Sequence, residues 1–419
     1  MKIAIIGSGI TGLSLNYLLD KKYDVTLFEE SNYLGGHANT ATIKYNDKNI
    51  AVDTGFIVFN FSTYPNLKAF FELLKVKISK SNMSFGIRNF DNNLEYSGNN
   101  LAGVFAQKQN LLKPKFYKML FDIVRFNQRA VKFIESEHKN TNLTLAKLLE
   151  EWKLGTYFKE YYLLPMAAAI WSCPLELMKD YPAKTFLQFF YNHGLLTVTK
   201  QPQWYSVKGG SKEYVAKIVQ SLKNKPKLNC KVIEVHKNHE KVEVTTEDKK
   251  TQQFDHVIFA NHPDQILKIL AEPTSSEKHI LQKIKYSKNT AILHKDCNQM
   301  PKKRKAWASW VYLASKKSQK VALTYWMNNL QNISAKYPLF VTLNPFTKIS
   351  KNHIFGTYQY EHPIFNQEAI TAQNKLKQIQ GERNIWFCGA WTKYGFHEDG
   401  LNSAMEIADK FKVKAPWLK

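Results

Sequence analysis

The chain has 419 residues, of which 44% are hydrophobic, 13% aromatic and 22% charged. That length points to two or three domains with full cores, and the composition excludes disordered, collagen-like and disulfide-stapled chains. The formal charge of +24 is almost all lysine, because five of the 59 cations are arginine (Arg88, Arg125, Arg129, Arg304, Arg383); the arginine forks that read nucleic acid are scarce, and nucleic acid is not an expected partner.

Residues 2–6, KIAII, form an apolar run that ends in glycine and predict a buried strand. GSGITG follows at 7–12 and opens an apolar helix at Ile10 and Thr11; DVTLFE at 24–29 predicts a second strand. In this strand, turn, helix, strand order each glycine has a job. Gly7 makes the tight turn, Gly9 lets a pyrophosphate approach the backbone, and Gly12 lets the helix pack close to the sheet. The helix amino end favours the negative charge. Glu29 lies 22 residues after Gly7 (29 − 7), with Glu30 beside it, where a carboxylate meets ribose hydroxyls. The pattern predicts a dinucleotide site.

YLGGHANT at 33–40 places Gly35, Gly36 and His37 in a second glycine loop, and NIAVDTGFIVFN at 49–60 reads as a strand reaching Gly55, Phe56 and Ile57. Two glycine loops and then a strand suit an extended cofactor such as FAD better than NAD. Residues 113–135 fit an amphipathic helix, with Phe116, Leu120, Ile123, Val124, Val131 and Ile134 along one side. It either packs a core or turns a basic face to a membrane. LLPMAAAIW at 163–171 is the longest apolar run, short of the about 20 residues that span a bilayer. Residues 236–253 read as a hairpin and PKKRK at 301–305 as a solvated basic loop.

The segment 306–328 alternates in the manner of strands, and its Trp307, Trp310 and Tyr325, with Tyr358 further on, are candidates to line a pocket for a long apolar substrate. Core packing explains such aromatics equally well. Residues 384–411 give a strand ending in Gly389 and Ala390, then a loop and a helix that starts near Asp399, Gly400 and Leu401. That helix end is a second pole for the cofactor. His397 beside it is either a proton-transfer group or a buried structural histidine.

Cys173, Cys230, Cys297 and Cys388 lie far apart, so neither a metal site nor a disulfide framework is expected. The apolar start is too short for a signal peptide, so a cytoplasmic protein is expected. The lysine excess leaves contact with an anionic inner membrane open.

These motifs resemble the flavin-dependent amine oxidase superfamily, which includes protoporphyrinogen oxidase and phytoene desaturase relatives. The resemblance rests on GSGITGLS, LFEE and LGGHANT near the start, WYSVKGGSKEYVAKI at 204–218, CKVIEV at 230–235, DHVIFANHPDQIL at 255–267 and FCGAWTKYGFHEDGLNSA at 388–404. It implies that Val232 clasps the adenine end of FAD through its backbone. VDTGFIVFN, WASWVYL, TYWMNNLQ, VTLNP, YEHPIF and GFHEDGLNSA are similar to a bacterial subgroup of NAD/FAD-binding proteins encoded beside cyclopropane-fatty-acid-synthase-like methyltransferases. That likeness implies a link to modified membrane lipids. The chain departs from the superfamily at His37, where arginine is usual, and at Gly389-Ala390-Trp391, where a polar contact is missing, so amine oxidation is not the expected chemistry.

The expected fold is α/β. A Rossmann-like FAD domain (1–75, 205–270 and 375–419), with a parallel sheet and a β-meander, joins an α+β substrate domain (76–204 and 271–374) with a mixed or antiparallel sheet. The expected function is FAD-dependent oxidation of an apolar lipid or fatty-acyl substrate by hydride transfer to the flavin. A flavin-dependent double-bond isomerase and a FAD-scaffolded lipid-binding protein at a membrane surface are the alternatives; the electron acceptor is open.

Overall fold

A computed structural model describes residues 1–136, 143–197, 201–315 and 320–418. It opens with β1 (Lys2–Ile6), α1 (Ile10–Leu19) and β2 (Asp24–Phe28). β1 is flanked by β2 on one side and by the strand His256–Phe259 on the other, both parallel to it, and Ile385–Phe387 adds a fourth parallel strand. Three separated stretches thus make one sheet. The unbroken apolar run of β1 follows from burial on both faces. Ile3 and Ile5 join the core under α1, while Ala4 and Ile6 join the core on the other side. α1 is buried nearly all round because the closing helix His397–Lys410 packs across it.

An antiparallel meander (Val232–Asn238, Lys241–Thr246, Thr251–Phe254) covers the second face of the parallel sheet. The expected hairpin over 236–253 is therefore most of this meander, with both of its turns and the middle strand.

A seven-stranded mixed sheet forms a second centre, ordered Ile354–Ile364, Lys285–His294, Phe340–Leu343, Ala322–Trp326, Trp310–Ala314, Phe85–Asn89 and Glu95–Ser97. All its pairings are antiparallel except that of Trp310–Ala314 with Phe85–Asn89. The architecture is the expected α/β one, a parallel sheet beside a mixed sheet. Alternation sorts the seven-stranded sheet's side chains: Tyr312 and Leu323 face the largest core, and Val311, Leu313 and Ala322 face a small cluster behind. Residues 316–319, within the aromatic segment 306–328, lie outside the described residues.

Helices cover the first face. Pro114–Glu135 starts with proline, whose missing N–H costs nothing at that position. Its buried stripe is Phe116, Met119, Ile123, Phe126 and Ala130. Val124, expected on that stripe, is exposed, because Met119 and Phe126 rotate the buried face away from it. The apolar run at 163–171 becomes the buried helix Leu164–Trp171. No helix among the described residues is long and apolar enough to cross a membrane.

Candidate active site

The turn after β1 is built on three unlike glycines. Gly7 has φ +101°, and its N–H donates to Phe28 O at 2.9 Å. A Cβ on Gly12 would lie 1.9 Å from Gly7 O, so α1 can start only with glycine there. A Cβ on Gly9 would meet nothing within 4 Å, and its backbone is extended (φ −63°, ψ −178°). Gly9 is therefore dispensable for the turn itself and borders open space. It is also the N-cap of α1 and brings no side chain to the first N–H groups, which are free to receive an anion.

The second glycine loop docks on the first. Gly35 N–H donates to Ser8 O at 3.0 Å, and a Cβ on Gly36 would lie 3.3 Å from the Gly9 Cα. At the tip of β2, Glu29 accepts from Ser8 N, Ser8 Oγ and Ser31 N at 2.6–2.9 Å, which leaves acceptor capacity on the carboxylate. Glu30 is exposed. The stretch before the meander runs beside this tip: Glu29 N–H donates to Lys227 O and Cys230 N–H to Glu29 O. Val232 is buried just beyond it.

Gly55 passes against His37, where a Cβ would lie 2.3 Å from His37 O, and Phe56 N–H donates to that oxygen at 2.7 Å. The His37 ring leans on Tyr360 and meets His362 edge-on. Burial, then the neighbouring His362, His262 and His397, hold its pKa well below the ordinary value. His37 thus stands neutral, able to donate but not to supply the charge of an arginine. Ile57 turns into the large core.

From the other end of the chain, the closing helix brings its amino end onto that of α1. A Cβ on Gly400 would lie 2.7 Å from Thr11 Oγ1 and 2.9 Å from the Ile10 side chain, with Ala390 at 3.6 Å. Leu401 packs with Ile10 and Leu13. Gly389 N–H donates to Ser403 Oγ. Asp399 accepts from Phe396 N at 3.0 Å and so caps its own helix; burial pushes its pKa up to about 7. His397 stacks on Phe56 with ring centroids 3.6 Å apart, and its Nε2 faces Tyr214 Oη at 3.2 Å. Burial drops its pKa to about 3. It is held as a neutral ring between two aromatics.

Two buried carboxylates carry much of this assembly, and sequence reasoning passed over both. Asp53 accepts from Thr40 Oγ1, Ser211 N, Ser211 Oγ and Gln331 Nε2 at 2.5–2.8 Å. Burial raises its pKa to about 6 against the pull of those donors. Gly210, at φ +91°, is what lets Ser211 reach it, because a Cβ there would strike Thr40. Glu398 accepts from Asn66 N and Leu67 N at 2.9 Å and caps the helix Pro65–Leu73. The signals were present in VDTG and HEDG, as acids within apolar stretches, but a pattern cannot say which backbone N–H an acid will meet.

Of the proposed pocket aromatics, Trp310 and Tyr325 pair edge-to-face at 5.1 Å and pack on the large core, as does Tyr358. Trp307 lies on the opposite side of the sheet. It joins the small rear cluster, its Nε1 donates to Pro301 O, and Arg304 stacks on it at 3.6 Å. That placement removes it from the pocket.

His262, Asp264 and Glu361 are the described residues whose ligand atoms come within 4.8 Å of one another. His262 and Glu361 already face each other at 3.5 Å, and His262 stacks on Tyr286.

The geometry fits FAD. Two glycine loops back an open cradle at Gly9, two helix amino ends converge beside it, and Glu29 keeps acceptor capacity at the end of β2. Asn261 Oδ1, buried next to Gly7, has no partner among the described residues. The family model of flavin-containing amine oxidoreductases matches residues 10–294, more than half of the chain.

The chain belongs to the flavin-containing amine oxidoreductase family.

It is a flavin-dependent oxidoreductase, and its cofactor is FAD. No curated protein matches it in sequence. Among solved structures it is similar to a CLA-producing fatty acid isomerase from P. acnes, with 13% identity, TM-score 0.69 and 98% of each chain covered. Putrescine oxidase bound to putrescine gives 12% identity and TM-score 0.72, over 98% of this chain and 99% of that one. Cyclohexylamine oxidase from Brevibacterium oxydans IH-35A gives 13% and 0.69, over 98% and 99%. At such identities the likeness concerns the fold.

Proposed function

We propose that this family member oxidises a long apolar substrate of the lipid or fatty-acyl class, with hydride transfer to the flavin. The observation that carries the reading is the donor set of the large core. Trp171 Nε1, Tyr181 Oη and Trp310 Nε1 are buried and have no partner among the described residues. Contacts link them: Trp171 leans on Tyr181 at 4.9 Å, Ser172 follows Trp171 and lies beside Tyr325, and Tyr325 meets Trp310. Around them stand Phe186, Phe189 and Phe190. An apolar wall with neutral donors fits a hydrocarbon chain bearing one acceptor, such as a carboxyl or ester carbonyl.

FAD supplies the two-electron chemistry when bound. The chain's own part is to hold and orient. The turn amides and the amino end of α1 would hold the pyrophosphate, Glu29 would accept from a ribose hydroxyl, and the amino end of the closing helix would offer positive potential to the flavin. Phe396 packs on both large cores and stacks on Phe189 at 5.1 Å; at that junction it would help to keep water out.

The test is anaerobic mixing of the yellow protein with fatty acids, phospholipids or small amines. Lasting bleaching by the lipids is expected. Conversion of lipid without lasting bleaching would replace oxidation by isomerisation, and bleaching by amines alone would overturn the substrate class. Trp310→Phe keeps the ring and removes the donor; an increase in KM of about tenfold with little change in kcat is expected for the lipid substrate.

A further inference from the structure

Two basic features that lie far apart in sequence become neighbours in the fold. The loop 301–305 is held against the strand Glu95–Ser97 and the turn that follows it. Lys302 N and Lys303 N donate to the Glu95 carboxylate at 2.9 and 3.0 Å, and Asn99 Nδ2 donates to Trp307 O. That turn leads through Phe105, which touches Phe116 and Tyr117, into the helix Pro114–Glu135.

The surface so formed is apolar at its centre. Leu112 is 86% exposed, Leu101 78% and Phe121 67%, with Leu111, Tyr117 and Val124 exposed as well. Tyr117, Phe121 and Val124 share the outer face of the helix at i, i+4 and i+7 spacing. Exposed aromatic and leucine side chains in such number are costly in water and mark an interaction surface.

Its rim is basic. From residue 96 to residue 121 the sequence holds four lysines (Lys108, Lys113, Lys115, Lys118) and no aspartate or glutamate, and Lys302, Lys303 and Lys305 add three more cations. The acid at its edge, Glu95, is buried and bonded to backbone.

We propose that this face docks on an anionic lipid bilayer, with Leu112 and Phe121 entering the interface and the lysines meeting lipid phosphates. The charge decides the occupant. A second copy would set like charges against each other. A nucleic acid would leave the leucines and Phe121 unmatched. An anionic bilayer offers phosphate to the rim and hydrocarbon to the centre. The inference rests on exposure and charge and does not depend on the substrate reading. Vesicle binding without turnover would leave it standing, and turnover without vesicle binding would remove it alone.

The test is flotation of the FAD-loaded protein with vesicles of mixed phosphatidylglycerol and phosphatidylcholine, and with phosphatidylcholine alone. Binding to the mixed vesicles is expected, and it should weaken with salt. The pair Leu112→Glu and Phe121→Glu should lower partitioning at least about tenfold, with flavin content and melting temperature unchanged. The triple Lys302→Glu, Lys303→Glu and Lys305→Glu should weaken it comparably. An equal charge change elsewhere, Lys21→Glu, Lys377→Glu and Lys414→Glu, should shift it by no more than about twofold. The proposal is overturned if the wild type does not float, if either set of patch changes is without effect, or if the remote changes weaken binding as much as the patch changes do. A wild-type dimer that Phe121→Glu converts to monomer, without vesicle binding, would overturn it in favour of a second copy.

Discussion

Gly9 and Gly12 differ by three positions and by everything that surrounds them. A side chain at Gly12 collides with the Gly7 carbonyl, whereas one at Gly9 enters open space. Gly12→Val is therefore expected to destabilise the fold by about 3 kcal/mol or more, read from urea unfolding. Gly9→Val should strip the protein of flavin and leave the unfolding midpoint near that of flavin-free wild type, because only the cofactor's own stabilisation is lost. The sequence motif named both glycines, since spacing alone specifies a turn that passes a pyrophosphate. It was silent on Asp53, whose partners come from residues 40, 211 and 331. Contacts between distant stretches leave no periodic mark. Likewise, Trp307 and Trp310 look alike in an aromatic run, and only the start of the strand at Trp310 sends them to opposite sides of the sheet.

At the scale of elements, the site depends on two helix amino ends meeting at Gly400 and on Glu398 tying a third helix to them. Glu398→Ala removes a buried carboxylate from Asn66 N and Leu67 N and should cost about 3 kcal/mol of stability, with Glu398→Gln recovering part of it. Equal stability of the alanine variant would contradict that role. Gly400→Val must push Thr11 and Ile10 aside, so both flavin retention and melting temperature should fall. The strands and long helices were legible because burial imposes its period on the sequence. The helix Pro114–Glu135 matched its expected span within a residue, yet the stripe it buries was misplaced at Val124. Which side of an amphipathic helix is covered depends on neighbours that the local pattern does not contain.

Over the whole molecule, buried histidines set the response to acid. His193, His294 and His362 are lowered by burial to about 4 and His397 to about 3, and His37 is lowered as well. The unfolded chain protonates each near 6.5, so their stabilisation is complete above that pH and is lost as pH falls through the folded values. Asp53 and Asp399, raised to about 6 and about 7, act in reverse, and their contribution fades as pH rises through those values. Near pH 5 the buried histidines outweigh the two acids, so acidification lowers stability there. The urea midpoint should fall steeply between about pH 6 and about pH 4.5; a flat profile would contradict the burial of these rings. The account as a whole rests on one extended coenzyme gripped by segments from the start, middle and end of the chain. Its most direct test is the flavin released on denaturing purified wild-type and Gly9→Val protein side by side. Stoichiometric FAD from the wild type, and almost none from a folded variant as stable as flavin-free wild type, is the predicted result. A folded, colourless wild type that takes up no added FAD, or a variant that keeps its full complement, would contradict it.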